Sequence, residues 1–218
     1  MTSPGDLEED RRGAAHHEAG HAVAAHRSGR EVYEIWIHPA DGHTTFQETV
    51  GETFAFIVYG GPWAQARYLC IPEMLYSDDL PPADRVAEML TANRSDWIAF
   101  EEATGGDANA VKTYLDESEL ALLDQYYGVA DDERASATSG PTAAPQPPLP
   151  DLDPNWNREM GGAWREVEAL AASLLAGEQT VRIGKDAPLV SLGLVGGYGF
   201  WRKENWTPTD GAATKLSR

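Results

Sequence analysis

The stretch from Arg11 to Gly29, RRGAAHHEAGHAVAAHRSG, constrains the fold more than any other part of the chain. Its alanines favour a helix over residues 11–27, and Ser28-Gly29 supplies the stop, because glycine readily takes the left-handed conformation that ends helices. Ala14, Ala15, Ala19, Gly20, Ala22, Ala24 and Ala25 are too small and apolar for a typical solvated face. A glycine inside a helix costs about 1 kcal/mol relative to alanine, so Gly20 makes sense where another backbone packs close. The sequence thus predicts a helix crowded by its neighbours.

That helix carries four of the six histidines. His17-Glu18-Ala19-Gly20-His21 fits the pattern H-E-x-x-H, in which residues four apart lie about 40° apart around the helix and can share one metal ion. Zinc held by two imidazoles and a third protein ligand keeps a position open for water, whose pKa falls to about 7. Glu18 can then accept the water's proton as general base. The alternative is a histidine-rich surface helix in which Glu18 meets Arg11 or Arg12. His26 lies nine positions from His17, about 180° around the helix, and His16 is also off the shared face; both are expected to be exposed.

Along the rest of the chain, EVYEIWIHP alternates like a short strand ending at Pro39, ADGH reads as a turn, and TTFQETV as a returning strand. ETFAFIVYGGPWAQARYLC is spaced like a helix interrupted at Gly60-Gly61-Pro62, either two pieces or one bent helix. Helical patterns recur around 83–90, 96–103 and 108–127. Residues 130–155 are rich in Pro, Ser, Ala and acid and have too few large aliphatic side chains to hold one conformation, so they read as a linker. Asp153-Pro154 then starts a helix with apolar residues from Trp156 to Leu174, closed by Gly177. The expected fold is mainly α with a short β-strand or hairpin, divided into residues 11–129, the linker 130–155, and a C-terminal helix with an irregular tail over 156–218.

Composition excludes several functions. A net charge of −18 opposes binding to nucleic acid phosphates. Cys70 is the only cysteine, so neither an internal disulfide nor a multi-cysteine zinc site can form. The N-terminus lacks an apolar core and no run of about 18 apolar residues occurs, so the reading is a soluble protein without a signal peptide, with cytoplasm as the default compartment.

AAHHEAGHAVAA resembles the active helix of the FtsH-type zinc metallopeptidase domain, and the resemblance covers roughly residues 11–105. In that family a short strand, a Gly-then-Thr turn and a Gly-Gly helix with small residues and acids follow; VYEIWIHPADGHTT and VYGGPWAQAR stand in those places. The resemblance implies a zincin-type active helix packed against further helices, a zinc ion on His17 and His21, Glu18 as catalytic base, and an aspartate from a later helix as third ligand. NRSDWIAFEEA offers Asp96 for that role, and TGGDANAVKTYL offers Asp107 as its rival. Each has a plainer explanation: Asp96 in the first turn of a helix capped by Ser95, Asp107 as an N-cap. His43 is expected in a solvent-exposed turn, and Glu73, Glu88 and Glu101 are further acids of no special pattern. The family's two acids after Gly-Gly are replaced by Gln65 and Ala66, and no ATPase module or membrane anchor accompanies the motif.

Two functions follow as expectations. One is an ATP-independent zinc endopeptidase acting on peptides or proteins, with backbone groups near Ile35 to His38 pairing with an extended substrate. The other is a noncatalytic zinc-stabilised adaptor whose C-terminal region engages a protein partner.

Overall fold

Helix α1 spans Pro4–Arg27 in the computed structural model, which describes residues 4–38, 41–71, 80–127, 147–176, 189–193 and 200–201. It begins earlier than its alanine-rich core suggests and ends where expected. Gly29 takes φ 73°, and the Arg30 N–H closes back on the Ala25 carbonyl at 2.9 Å. From Gly13 to Ala25 the helix is buried on all sides.

Helix α2, Gly51–Cys70, makes the most extensive packing partner of α1. The two cross at backbone contact: a methyl group built on Gly20 would lie 2.2 Å from the Gly60 carbonyl oxygen. Only two glycines at the crossing permit this approach. Of the two alternatives at Gly60-Gly61-Pro62, two separate pieces do not form, and α2 is one helix running through Pro62. On the turn before Pro62 the Ile57 carbonyl accepts the ring N–H of His21 at 2.8 Å.

Strands β1, Val32–His38, and β2, Asp41–Gln47, form the expected antiparallel hairpin and lie against α1. Ile35, Ile37 and Phe46 are buried in the core, as alternation requires. Residues 189–193 and 200–201, read from sequence as irregular tail, instead form β3, Leu189–Gly193, and β4, Phe200–Trp201. Among the described residues the sheet order is β3-β2-β1-β4.

Helices α3, Ala83–Ala92, α4, Arg94–Thr104, and α5, Ala108–Tyr127, follow α2. The predicted single helix after Asp153 is two: α6, Pro154–Gly161, and α7, Trp164–Leu175, parted at Gly162-Ala163. Asp153 caps α6 through the Asn155 N–H at 2.8 Å, as its Asp-Pro start implies. Met160, Val167, Leu170 and Leu174 are buried in the same core as Ala15, Ala22 and Ile57, so α6 and α7 pack on α1 and α2. Of the expected linker, residues 130–146 lie outside the described residues. No helix among the described residues is long and apolar enough to cross a membrane.

Candidate metal centre

One turn of α1 carries His17 and His21 on the side facing α2 and α4, and their Nε2 atoms stand 3.0 Å apart. Asp96, in the first turn of α4, brings Oδ2 to 2.9 Å from His17 Nε2 and 3.3 Å from His21 Nε2. His17 and His21 are each 1% exposed and Asp96 is fully buried. These three residues form a group that could hold a metal ion.

The outer side of each imidazole fixes how its inner side behaves. His17 Nδ1 faces Gln65 Oε1 at 2.9 Å, and His21 Nδ1 faces the Ile57 carbonyl at 2.8 Å. Both oxygens can only accept, so both Nδ1 atoms carry the hydrogen and a neutral ring turns its Nε2 lone pair inward. Gly61 leaves the room: a methyl group there would lie 2.3 Å from His21 Nε2 and 2.8 Å from His17 Nε2.

The Asp96 carboxylate is the clearest sign that the group suits a cation. Both of its oxygens are buried and accept no hydrogen bond, although Oδ2 is within reach of both rings. The contacts are close without the alignment of hydrogen bonds. Burial by itself would raise this carboxyl, whereas positive charge placed at His21 and His17 pulls it well below the usual carboxylate range, and between neutral rings a bound cation would supply that charge. A buried carboxylate without donors is costly, and a bound cation removes that cost.

Glu18, next to His17 in sequence, is fully buried. Its Oε2 accepts a 2.6 Å hydrogen bond from Thr44 Oγ1, which also lies 3.1 Å from the Glu18 carbonyl. Thr44 and Gly42 stand on the same face of β2, and a methyl group on Gly42 would meet Glu18 Cγ at 2.3 Å. Strand β2 therefore shapes the seat of Glu18. Asn93 caps α4 by accepting from the Asp96 N–H at 3.3 Å, and Ser95 Oγ donates to the same oxygen at 2.8 Å. That leaves Asn93 Nδ2 turned toward His17 Nε2, 3.3 Å away.

Sequence reasoning missed Gln65, Thr44, Asn93 and the space at Gly42 and Gly61. Gln65 did carry a signal, since it occupies a place where the resembling family has an acid.

The plainer explanation of Asp107 holds: it is exposed and caps α5 through the Ala110 N–H at 2.9 Å. Several other expectations are corrected. The cap of α4 is Asn93, not Ser95. His16 is buried, stacked on Tyr68 with ring centres 4.2 Å apart, and its Nδ1 meets the Arg12 carbonyl at 2.8 Å. His26 is half-buried. His43 lies on β2 rather than in a turn, stacked on Trp36 and turned to the face opposite Thr44. Ile35 and Trp36, expected to meet substrate, pair with β4. Glu88 pairs with Arg85 on the surface, Glu101 lies beside Gly106, and Glu73 lies outside the described residues.

The fold and site define a buried His-His-Asp centre with an adjoining glutamate on a mainly helical scaffold. No family model, curated protein or solved structure matches the chain.

Proposed function

We propose that the protein is a zinc-dependent endopeptidase in which His17, His21 and Asp96 hold the ion and Glu18 is the general base. The observation that carries this reading is the pairing of an oriented three-ligand group with a buried glutamate adjoining one ligand in sequence. A tetrahedral zinc ion about 2.0–2.1 Å from each ligand asks for ligand atoms about 3.3 Å apart. The observed separations of 3.0, 2.9 and 3.3 Å are near that value. The resemblance of AAHHEAGHAVAA to the FtsH-type active helix supports the same assignment.

When bound, zinc supplies Lewis acidity and brings a coordinated water near neutrality in pKa. Glu18 takes the proton from the attacking water and returns it to the departing amide nitrogen. Thr44 holds one Glu18 oxygen and so fixes the orientation of the carboxylate. Gln65 and the Ile57 carbonyl keep both imidazoles in the tautomer that binds metal. No step requires ATP.

Glu18→Gln tests the reading, because it removes the base and neither imidazole. Elemental analysis should give about one zinc per chain in both forms, while only the wild type cleaves members of a diverse peptide library. Equal hydrolysis by the two forms would reject Glu18 as base. Zinc without any cleavage by the wild type would favour the noncatalytic module.

A further inference from the structure

The metal centre is closed: Glu18 and Asp96 are 0% exposed and both histidines 1%. A polypeptide cannot reach it until something moves. Strand β3 is the element placed to do so. It pairs antiparallel with the outer edge of β2 from His43↔Gly193 through Thr44↔Leu192 to Gln47↔Leu189, and it also packs against α4. It thus lies along the strand that seats Glu18 and against the helix that brings Asp96. Leu189–Gly193 carries no charged side chain in a chain of net charge −18, so no charge on the strand opposes its pairing beside a buried site.

We propose that Leu189–Gly193 is a built-in occupant of the strand-docking edge of β2, holding the place that an extended external polypeptide must take. The inference rests on the peptidase reading for its consequence: the protein restrains itself, and release of β3 opens the centre. Recognition is through main-chain hydrogen bonds, so the displacing partner is an extended, weakly charged segment rather than a folded surface.

Two full-length variants, Ser191→Pro and Leu192→Pro, test this. Neighbouring strand residues point their N–H groups to opposite sides, so only one of the two removes a hydrogen bond to β2. A fluorescein-labelled peptide of residues 187–195 is the probe. That one variant should bind it at least about tenfold more tightly than wild type, by anisotropy, and hydrolyse peptides faster. The binding gain should persist when Glu18→Gln is added.

Tighter binding without hydrolysis by any form would support the docked strand and sink the peptidase reading. Unchanged binding and hydrolysis in both variants would overturn the docked strand and leave the peptidase intact. Should the variants misfold, wild type saturated with probe should be cut faster by trypsin at Arg202 and Lys203. Unchanged cutting there would equally overturn the proposal.

Discussion

Thr44 Oγ1 donates to Glu18 Oε2 at 2.6 Å and so ties the hairpin to the helix that bears both histidines. Thr44→Val removes this donor while keeping the side chain's shape. Peptide hydrolysis should fall about ten- to a hundredfold, since a mispositioned base loses part of its contribution. Zinc content should not change. A variant as active as wild type would show that Glu18 needs no such anchor.

Gln65 orients His17 without touching the ligand position. Gln65→Ala should weaken zinc binding about ten- to a hundredfold, as loss of such supporting partners does. Gln65→Glu keeps an acceptor at Nδ1 and should bind at least as well as wild type. Competition with a metal indicator reads both. Equal affinity in all three proteins would remove Gln65 from the account.

Asp96 and Asp107 should fail differently. Asp96→Ala and Asp96→Asn should both lose zinc affinity strongly, because a neutral amide is a poorer zinc ligand. Asp107→Ala should keep its metal and lose about 0.5–2 kcal/mol of stability, with most of that restored in Asp107→Asn. Zinc lost on changing Asp107 alone would contradict the geometry.

Gly20→Ala should destabilise the protein even though alanine is the better helix former by about 1 kcal/mol. The new methyl would press on the Gly60 backbone. Such overpacking costs about 1–3 kcal/mol or more, so urea unfolding should show a lower midpoint. A higher midpoint would mean that α1 and α2 can separate freely.

Burial lowers the pKa of His43 from its ordinary value. On acidification the unfolded chain protonates this ring first. The stability owed to neutral His43 is therefore whole above about pH 6.5 and drains away as the pH falls toward the folded value. His43→Phe should lose less stability than wild type between about pH 7.5 and about pH 5, compared by urea unfolding in a chelator. Matching pH profiles would show that the half-buried ring is solvated well enough to titrate normally.

The parts of this molecule legible in the sequence are those written within one element. The α1 helix, its stop at Gly29, the β1–β2 hairpin and the His17–His21 pair all follow from local spacing. Asp96 was legible only by resemblance, with Asp107 a rival until α4 was seen to face α1. His16 read as exposed because helical angle reports a face, not what covers it; Tyr68 and Trp164 cover it. Around Pro62 the sequence left two pieces or one bent helix open, because a proline inside a helical pattern does not show whether neighbouring elements hold the helix together; α2 is one helix. Thr44, Gln65 and Asn93 act across elements, and no periodicity within one element encodes that.

Of the three residues that could hold an ion, two stand on α1 and the third on α4, so the set is divided between one helix and a partner reached after the hairpin, α2 and α3. With all three side chains walled off from solvent, an ion at this centre would depart through a local opening, and a separation of α4 from α1 is the one that divides its ligand set. Its residence time then belongs to the local opening of α4, not to the strength of the ligand bonds alone. In excess chelator, zinc release would level off at that opening rate, and the helix that completes the centre would also be its clock.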